Sequence, residues 1–221
     1  MSGAAGAHAK HPEGREVGAG RRQSGDDVAE PDKGLVPPTL AGIMVAMPEF
    51  IDPIGTLRTS FLAAAAEFRA DPDYPVPWYI DDVDPQALVD PAAFEAYTAR
   101  VVDERNSWGV RPGFVPMTTL WWVDREEFLG RLAIRHRLTP ALEKFGGHIG
   151  YDVRPSARRQ GHATAMLAAA LPIARSLGIS QALVMCDKTN IASQRVIEAN
   201  GGRLLDITEQ KRRYWVPTTR S

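Results

Sequence analysis

The chain is predicted to fold as an α/β (α+β) protein around a mixed, mostly antiparallel sheet with one parallel βαβ crossover, in the order β-α-α-β-β-β-α-β-α-β-β. Three observations lead there. Short runs of β-branched and aromatic residues alternate with longer stretches of helical spacing. Two of the runs, TTLWWVD (118–124) and EFLGRLAIRH (127–136), are parted only by the charged turn Asp124-Arg125-Glu126, so they pair as a hairpin. An alanine-rich helical segment, 161–178, lies between the strand-like runs HIGYDV (148–153) and QALVMCD (181–187), a connection that makes those two strands parallel.

Taken in order, residues 1–39 read as a disordered tail and 40–221 as a single domain. The first 34 residues are rich in Gly, Ala and charge and offer too few large apolar side chains to offset the entropy lost on ordering. GIMVAM (42–47) is a short apolar run ending at Pro48, a first strand. From Gly55 to Ala70, Leu57, Phe61, Leu62, Ala65 and Phe68 recur at helical spacing. The proline-punctuated stretch 71–85 reads as an irregular loop. Asp90-Pro91 opens a second helix as N-cap and first-turn proline, running on through FEAYTARVVDERNSW. After the hairpin, 138–147 is a short helical or looped excursion. In the crossover helix, Ala163, Leu167, Ala170, Ala174 and Leu177 share a stripe, and Pro172 is expected to kink it. A helix over 190–200 closes at Gly201-Gly202, and 203–208 and 211–217 finish as a strand pair.

Composition removes several classes of function. With 221 residues, 44% hydrophobic residues and a formal net charge of −1, the chain can bury a core but has no global basic field for nucleic acid or an anionic membrane. The single cysteine, Cys186, excludes an internal disulfide and a multi-cysteine zinc site. No histidine pair has ligand spacing, so no metal is expected. No apolar run reaches the roughly 18 residues of a membrane span, and the N-terminus lacks a continuous apolar h-region. A cytoplasmic location is the expectation.

Between the crossover strand and its helix stands Arg158-Arg159-Gln160-Gly161-His162-Ala163. A helix N-terminus offers unpaired N–H groups and partial positive charge. Gly161 lets an anion approach the backbone, Ala163 keeps the first turn slim, and Arg158 and Arg159 add mobile positive charge at the rim. These parts suit a pyrophosphate; a solvated basic turn is the plainer reading of the hexamer alone. Neither a Walker A loop nor a dinucleotide fingerprint is present.

The run VRPSARRQGHATAML, a strand, CDKTN, IASQRVIEANGG and two closing strands resemble the GNAT superfamily of acyl-CoA-dependent N-acyltransferases. Its phosphate loop, [QR]-x-x-G-x-[GA], is matched by Arg158, Gly161 and Ala163, and the Asn opening its next helix by Asn190. RHRLTPALEKFGGHIGYDVRP is similar to a branch described only as predicted acetyltransferases. The resemblance covers about 115–217 in motif and 40–114 by element order. It implies acetyl-CoA as acyl donor, lying between strands 148–153 and 181–187. The pyrophosphate is expected on the loop from Arg158 and Arg159 through Gln160, Gly161 and His162 to Ala163. The pantetheine arm is expected beside Tyr151, Asp152 and Val153, with Asn190 and Ser193 also contributing. An amine then attacks the thioester directly through a tetrahedral intermediate stabilised by a backbone donor near Val153.

The chain departs from that pattern where many members carry a thiolate-protonating tyrosine, because Ile197 stands at the matching position and donates no proton. Tyr151 or water serves instead, or the thiolate leaves unprotonated. His148, Tyr151 and Asp187 are the candidate catalytic residues. His148 either takes up the ammonium proton near neutrality or is satisfied by backbone partners; Asp152 orients it or ends a strand; Asp187 reaches the acceptor through water or caps a turn. Cys186 is expected to be a core thiol rather than a nucleophile. His136 and Arg135 line the site or sit on a solvated edge. Six aspartates between Asp71 and Asp90, with no Lys or Arg among them, make a rim for cationic amines or an ordinary loop. Trp121 and Trp122 stack a substrate, or at least one enters the core. The leading expectation is acetyl transfer to a primary amine of a small molecule, by a monomer or homodimer. Protein lysine or N-terminal acetylation and a catalytically silent acyl-CoA-binding module are the alternatives.

Overall fold

Alternating apolar runs need helices over both faces of a sheet when both faces are apolar, and that is how this chain buries them. A computed structural model describes residues 47–110 and 113–219, all within one compact unit running from Met44 to Ser221. Its strands are β1 (Glu49–Ile51), β2 (Met117–Asp124), β3 (Glu127–Arg135), β4 (Ile149–Val153), β5 (Gln181–Asp187), β6 (Arg203–Ile207) and β7 (Lys211–Pro217). The helices are α1 (Arg58–Ala70), α2 (Trp78–Asp81), α3 (Pro91–Asp103), α4 (Pro140–Phe145), α5 (His162–Ser176) and α6 (Ile191–Ala199). The strands form one sheet in the order β1-β2-β3-β4-β5-β7-β6, in which only β4 and β5 run parallel.

Two cores result. Phe61, Phe68, Phe94, Trp121 and Phe128 fill the space between α1, α3 and one sheet face. Leu132, Ile134, Ile149, Met166, Leu167, Val184 and Ile197 fill the other, under α5 and α6. Because strand side chains alternate, Trp121 enters the first core and Trp122 the second, and both are buried. That corrects the substrate-stacking reading of the pair. Cys186 packs in the second core, where burial pushes its thiol up, as befits a core residue.

Several boundaries differ from the sequence reading. The strand expected at 42–47 lies, apart from Met47, outside the described residues, as does the tail; the first described strand is Glu49–Ile51, paired with β2. The stretch 71–85 is not irregular throughout. Ile80 N–H donates to Pro77 O (2.8 Å), and the single turn α2 buries Tyr79 and Ile80, with the Tyr79 ring edge-on to Phe68. Four residues are too few to display a period. The second helix stops at Asp103 rather than Trp108, because Glu104 O is captured by Met117 N–H (2.9 Å) at the start of β2. Pro172 is exposed within α5, which continues past it to Ser176. There the carbonyl freed by the missing N–H can meet water.

The junction of β4 and β5 decides where a ligand can enter. Their one register pair is Ile149 with Val184, reinforced by His148 N–H to Leu183 O (2.7 Å). Beyond it Gly150–Val153 pair only with β3, and Met185–Asp187 only with β7. The sheet therefore splits into a wedge opening toward Val153 and Asp187.

Candidate active site

The wedge leads directly into the turn before α5. Arg158 N–H donates to Pro155 O (3.3 Å), and the next backbone donor with a partner is Ala165 N–H, to Gly161 O (3.1 Å). Among the described residues, the amides of Arg159 through Thr164 have no protein acceptor. A helix start alone leaves its first few amides free; here the free run begins further upstream. Gly161 has φ +85°, a conformation that costs an L-residue about 1–2 kcal/mol, and a β-carbon there would meet nothing within 4 Å. The backbone is thus bent to present successive donors to open space, an arrangement suited to several anionic oxygens at once.

The side chains around this turn are more engaged with the protein than expected. Arg158 forms an ion pair with Asp71 (2.6 Å), donates to Val153 O (3.2 Å) and lies over the Tyr74 ring, so its charge is anchored rather than free at the rim. Arg159 is exposed, with φ +62°. Gln160 turns back to Ser156 O (3.4 Å), and His162 Nδ1 accepts from Trp122 Nε1 (3.3 Å). Ala163 lies in the first turn of α5, half-buried. Sequence reasoning missed what fixes the turn. Arg154 binds Glu67 (2.7 Å) and Glu127 (3.1 Å), and Glu67 also accepts from Ser156 N–H (3.0 Å). Burial raises the Glu67 carboxyl, but hydrogen bonds from Arg154 and Ser156 outweigh it and leave the group below its ordinary value. These partners are far apart in the chain, and no local pattern links them.

Across the wedge, three candidates come together. Asn190 caps α6 by accepting from Ser193 N–H (2.9 Å), and Ser193 Oγ lies 2.7 Å from Tyr151 Oη. Burial pushes the Tyr151 phenol well up, against the lowering effect of Ser193, so it keeps its proton at neutral pH. Ile197, one turn beyond Ser193, is fully buried in the core and faces no opening. The phenol of β4 thus meets α6 one turn before the position that holds isoleucine.

The remaining candidates are engaged elsewhere. His148 Nδ1 accepts from Leu183 N–H (2.9 Å), which places the ring proton on Nε2; burial and the Arg135 charge hold the imidazole below its usual pKa. Asp187 pairs with Lys211 (2.6 Å) at the end of β5. Burial raises the Asp152 carboxyl against the pull of Arg131, Arg158 and Arg135. Arg135 donates to Gly146 O (3.2 Å) and Gly147 O (3.3 Å), burial bringing it down to about 10, and His136 Nε2 pairs with Thr118 Oγ1 (2.8 Å). In the acidic stretch, Asp71 holds Arg158, Asp84 accepts from Gln86 N–H and Asp90 caps α3. No group of three or more His, Cys, Asp or Glu suited to a metal exists among the described residues.

A family model described as "Acetyltransferase (GNAT) domain" matches residues 56–203. No curated protein matches the sequence. Among solved structures, the chain is similar to RimL, a ribosomal L7/L12 alpha-N-protein acetyltransferase in complex with coenzyme A, at 16% identity and TM-score 0.52, over 77% of this chain and 93% of that one. It is similar to Mycobacterium smegmatis RimJ in complex with CoA-disulfide, at 16% identity and TM-score 0.55, over 76% and 80%. The third is the microcin C7 self-immunity acetyltransferase MccE in complex with acetyl-CoA and AMP, at 12% identity and TM-score 0.51, over 76% and 91%. At such identities the likeness is one of fold. The family model spans more than half the sequence, and the chain belongs to the GNAT acetyltransferase family.

Proposed function

We propose that this protein is an N-acetyltransferase that moves the acetyl group of acetyl-CoA to a primary amine of a small molecule. The observation that carries the reading is the run of amides from Arg159 to Thr164 without protein acceptors, at the mouth of β4 and β5, the one parallel strand pair among the described residues. These donors suit a pyrophosphate, and the unpaired edge of Gly150–Val153 suits an extended pantetheine arm added as a strand. The thioester then lies within the wedge. Direct attack by an uncharged amine forms the new C–N bond and expels the thiolate. Tyr151, protonated and bonded to Ser193, donates to the departing sulfur in place of a tyrosine at Ile197. His148 acts as a positioning residue that pins β4 to β5, and the ammonium proton leaves to water beside Asp152 and Asp187. Residues 40–221 are taken as the catalytic unit. A cytoplasmic setting belongs to the same reading; among the described residues no helix is long and apolar enough to cross a membrane.

The test is calorimetry with CoA, followed by thiol release from acetyl-CoA with a panel of amines. Gly161→Glu forces a carboxylate into the anion space, and its expected result is loss of CoA affinity by at least about 100-fold with an unchanged circular dichroism spectrum. Unchanged affinity overturns the loop assignment. Binding without turnover on any amine favours a silent CoA-binding module, and acetylated peptides in a treated extract favour a protein acceptor.

A further inference from the structure

Two neighbours on one strand address the split in the sheet from opposite sides. Tyr151 packs against the core under α5 and α6. Asp152, next along β4, points to the other face, across from Arg131 on β3. Both lie beyond Ile149, the β4 residue that pairs with β5, and so on the open part of the wedge. In a tetrahedral intermediate the entering nitrogen and the leaving sulfur occupy different corners. A proton donor for one and an acceptor for the other must therefore stand on different sides, as these two residues do.

The other proton acceptors around the wedge are taken. Asp187 is paired with Lys211 (2.6 Å), Asp71 with Arg158 (2.6 Å) and Glu67 with Arg154 (2.7 Å), while His148 Nδ1 takes the Leu183 N–H. Asp152 accepts no hydrogen bond among the described residues. Its side chain is 32% exposed, and an Arg131 nitrogen stands 4.0 Å away, beyond hydrogen-bond reach. A carboxylate with open lone pairs at a ligand entrance can receive a proton. Arg131 and Arg135 face it from β3, Arg158 from the turn before α5 and the Tyr79 hydroxyl from α2. Arg158 is neutralised by Asp71, and Asp82 lines a cavity together with Arg131, so these cations do not turn an ammonium away. Burial outweighs the arginines and raises the carboxyl above its ordinary value. The same desolvation lowers an ammonium, which narrows the gap in proton affinity between the two groups.

Resting on the acetyl-transfer reading above, we propose that the acceptor binds as its ammonium ion and that Asp152 takes a proton from it before attack, handing that proton to solvent. The nitrogen arrives with three protons. One goes to Asp152, and the electron pair it leaves behind forms the C–N bond. One stays on the amide. The third is lost as the C–S bond breaks, and it replaces the proton that Tyr151 gives to the sulfur.

The full-length protein is assayed for thiol release from acetyl-CoA with primary alkylamines across the pH range, with kcat/KM reckoned on total amine. The expected parent profile is level between about pH 6 and 8, where carboxylate and ammonium are both the prevailing forms. In Asp152→Asn, which keeps the shape of the side chain, only uncharged amine reacts. Its kcat/KM falls by about 10²- to 10³-fold at pH 7 and climbs about tenfold per pH unit toward the pKa of the amine. A β-fluorinated amine, already uncharged at neutral pH, brings Asp152→Asn to within about tenfold of the parent, a rescue that a structural role would not give. Calorimetry checks that the variant still binds CoA, whose pantetheine arm is expected to meet only the main chain here. A parent-like profile in Asp152→Asn overturns the proposal, and so does a parent kcat/KM that itself climbs with pH. Turnover of no amine by the parent overturns the acetyl-transfer reading, and this assignment falls with it.

Discussion

Tyr151 is where a single side chain has most to decide. Its hydroxyl is hydrogen-bonded with Ser193 Oγ across the wedge, and burial keeps it un-ionised. Tyr151→Phe removes only that hydroxyl. The expected outcome is a fall in kcat of about 10²-fold with little change in KM for acetyl-CoA, the split that steady-state kinetics resolves when a proton donor is lost. His148 offers a second test at this scale. Its folded pKa lies below the usual value, so the unfolded chain binds more protons. Its contribution to stability is therefore complete above about pH 6.5 and is lost as pH falls through the folded value. In His148→Asn, an amide oxygen takes over the acceptor role of Nδ1 toward Leu183 N–H without titrating. Urea midpoints should then match at pH 7.5 and separate as the pH falls, the variant losing less. His136, also lowered by burial and by Arg105, leaves a residual slope in both.

Among the elements, α3 and α5 begin by opposite means. Asp90 caps α3 with its own carboxylate, accepting from Ala93 N–H at 2.8 Å, ahead of Pro91. Asp90→Ala should cost about 1 kcal/mol in chemical denaturation and leave CoA affinity alone. α5 has Gly161 at its N-cap and no capping side chain, so its free amides face outward. A self-satisfied helix start serves stability, and an open one serves a ligand. The Asp-Pro signature was legible in the sequence for that reason. The ligand role proposed for the second start rests on the motif and, with it, the position of the wedge.

At the scale of the whole molecule, the turn that presents those amides is held by α1. Glu67 bridges to Arg154 and Ser156 N–H, while Asp71 just beyond α1 holds Arg158. Glu67 remains below its ordinary pKa despite burial, so its stabilising effect is present above about pH 4.3 and fades as pH falls through the folded value. Glu67→Gln should be less stable than the parent at pH 7, with the gap closing in acid below about pH 4 as urea midpoints are followed. It should also weaken CoA binding, because the 154–158 turn loses its anchor.

Strand and helix periods, the hairpin turn, the cap at Asp90 and the spacing around Gly161 are local, so the sequence alone determined the mixed sheet, its single crossover and the glycine turn that opens α5. Short elements escaped it. α2 has too few residues to show a period, and its Tyr79 became a core residue only by packing on Phe68. Which tryptophan faces which core, the anchoring of Arg158 by Asp71, the engagement of His148 by Leu183 and the setting of Asp152 across from Arg131 all rest on contacts between distant segments. Their energies depend on burial and mutual geometry, which exist only once the chain has closed on itself, and so the tertiary structure alone decided them.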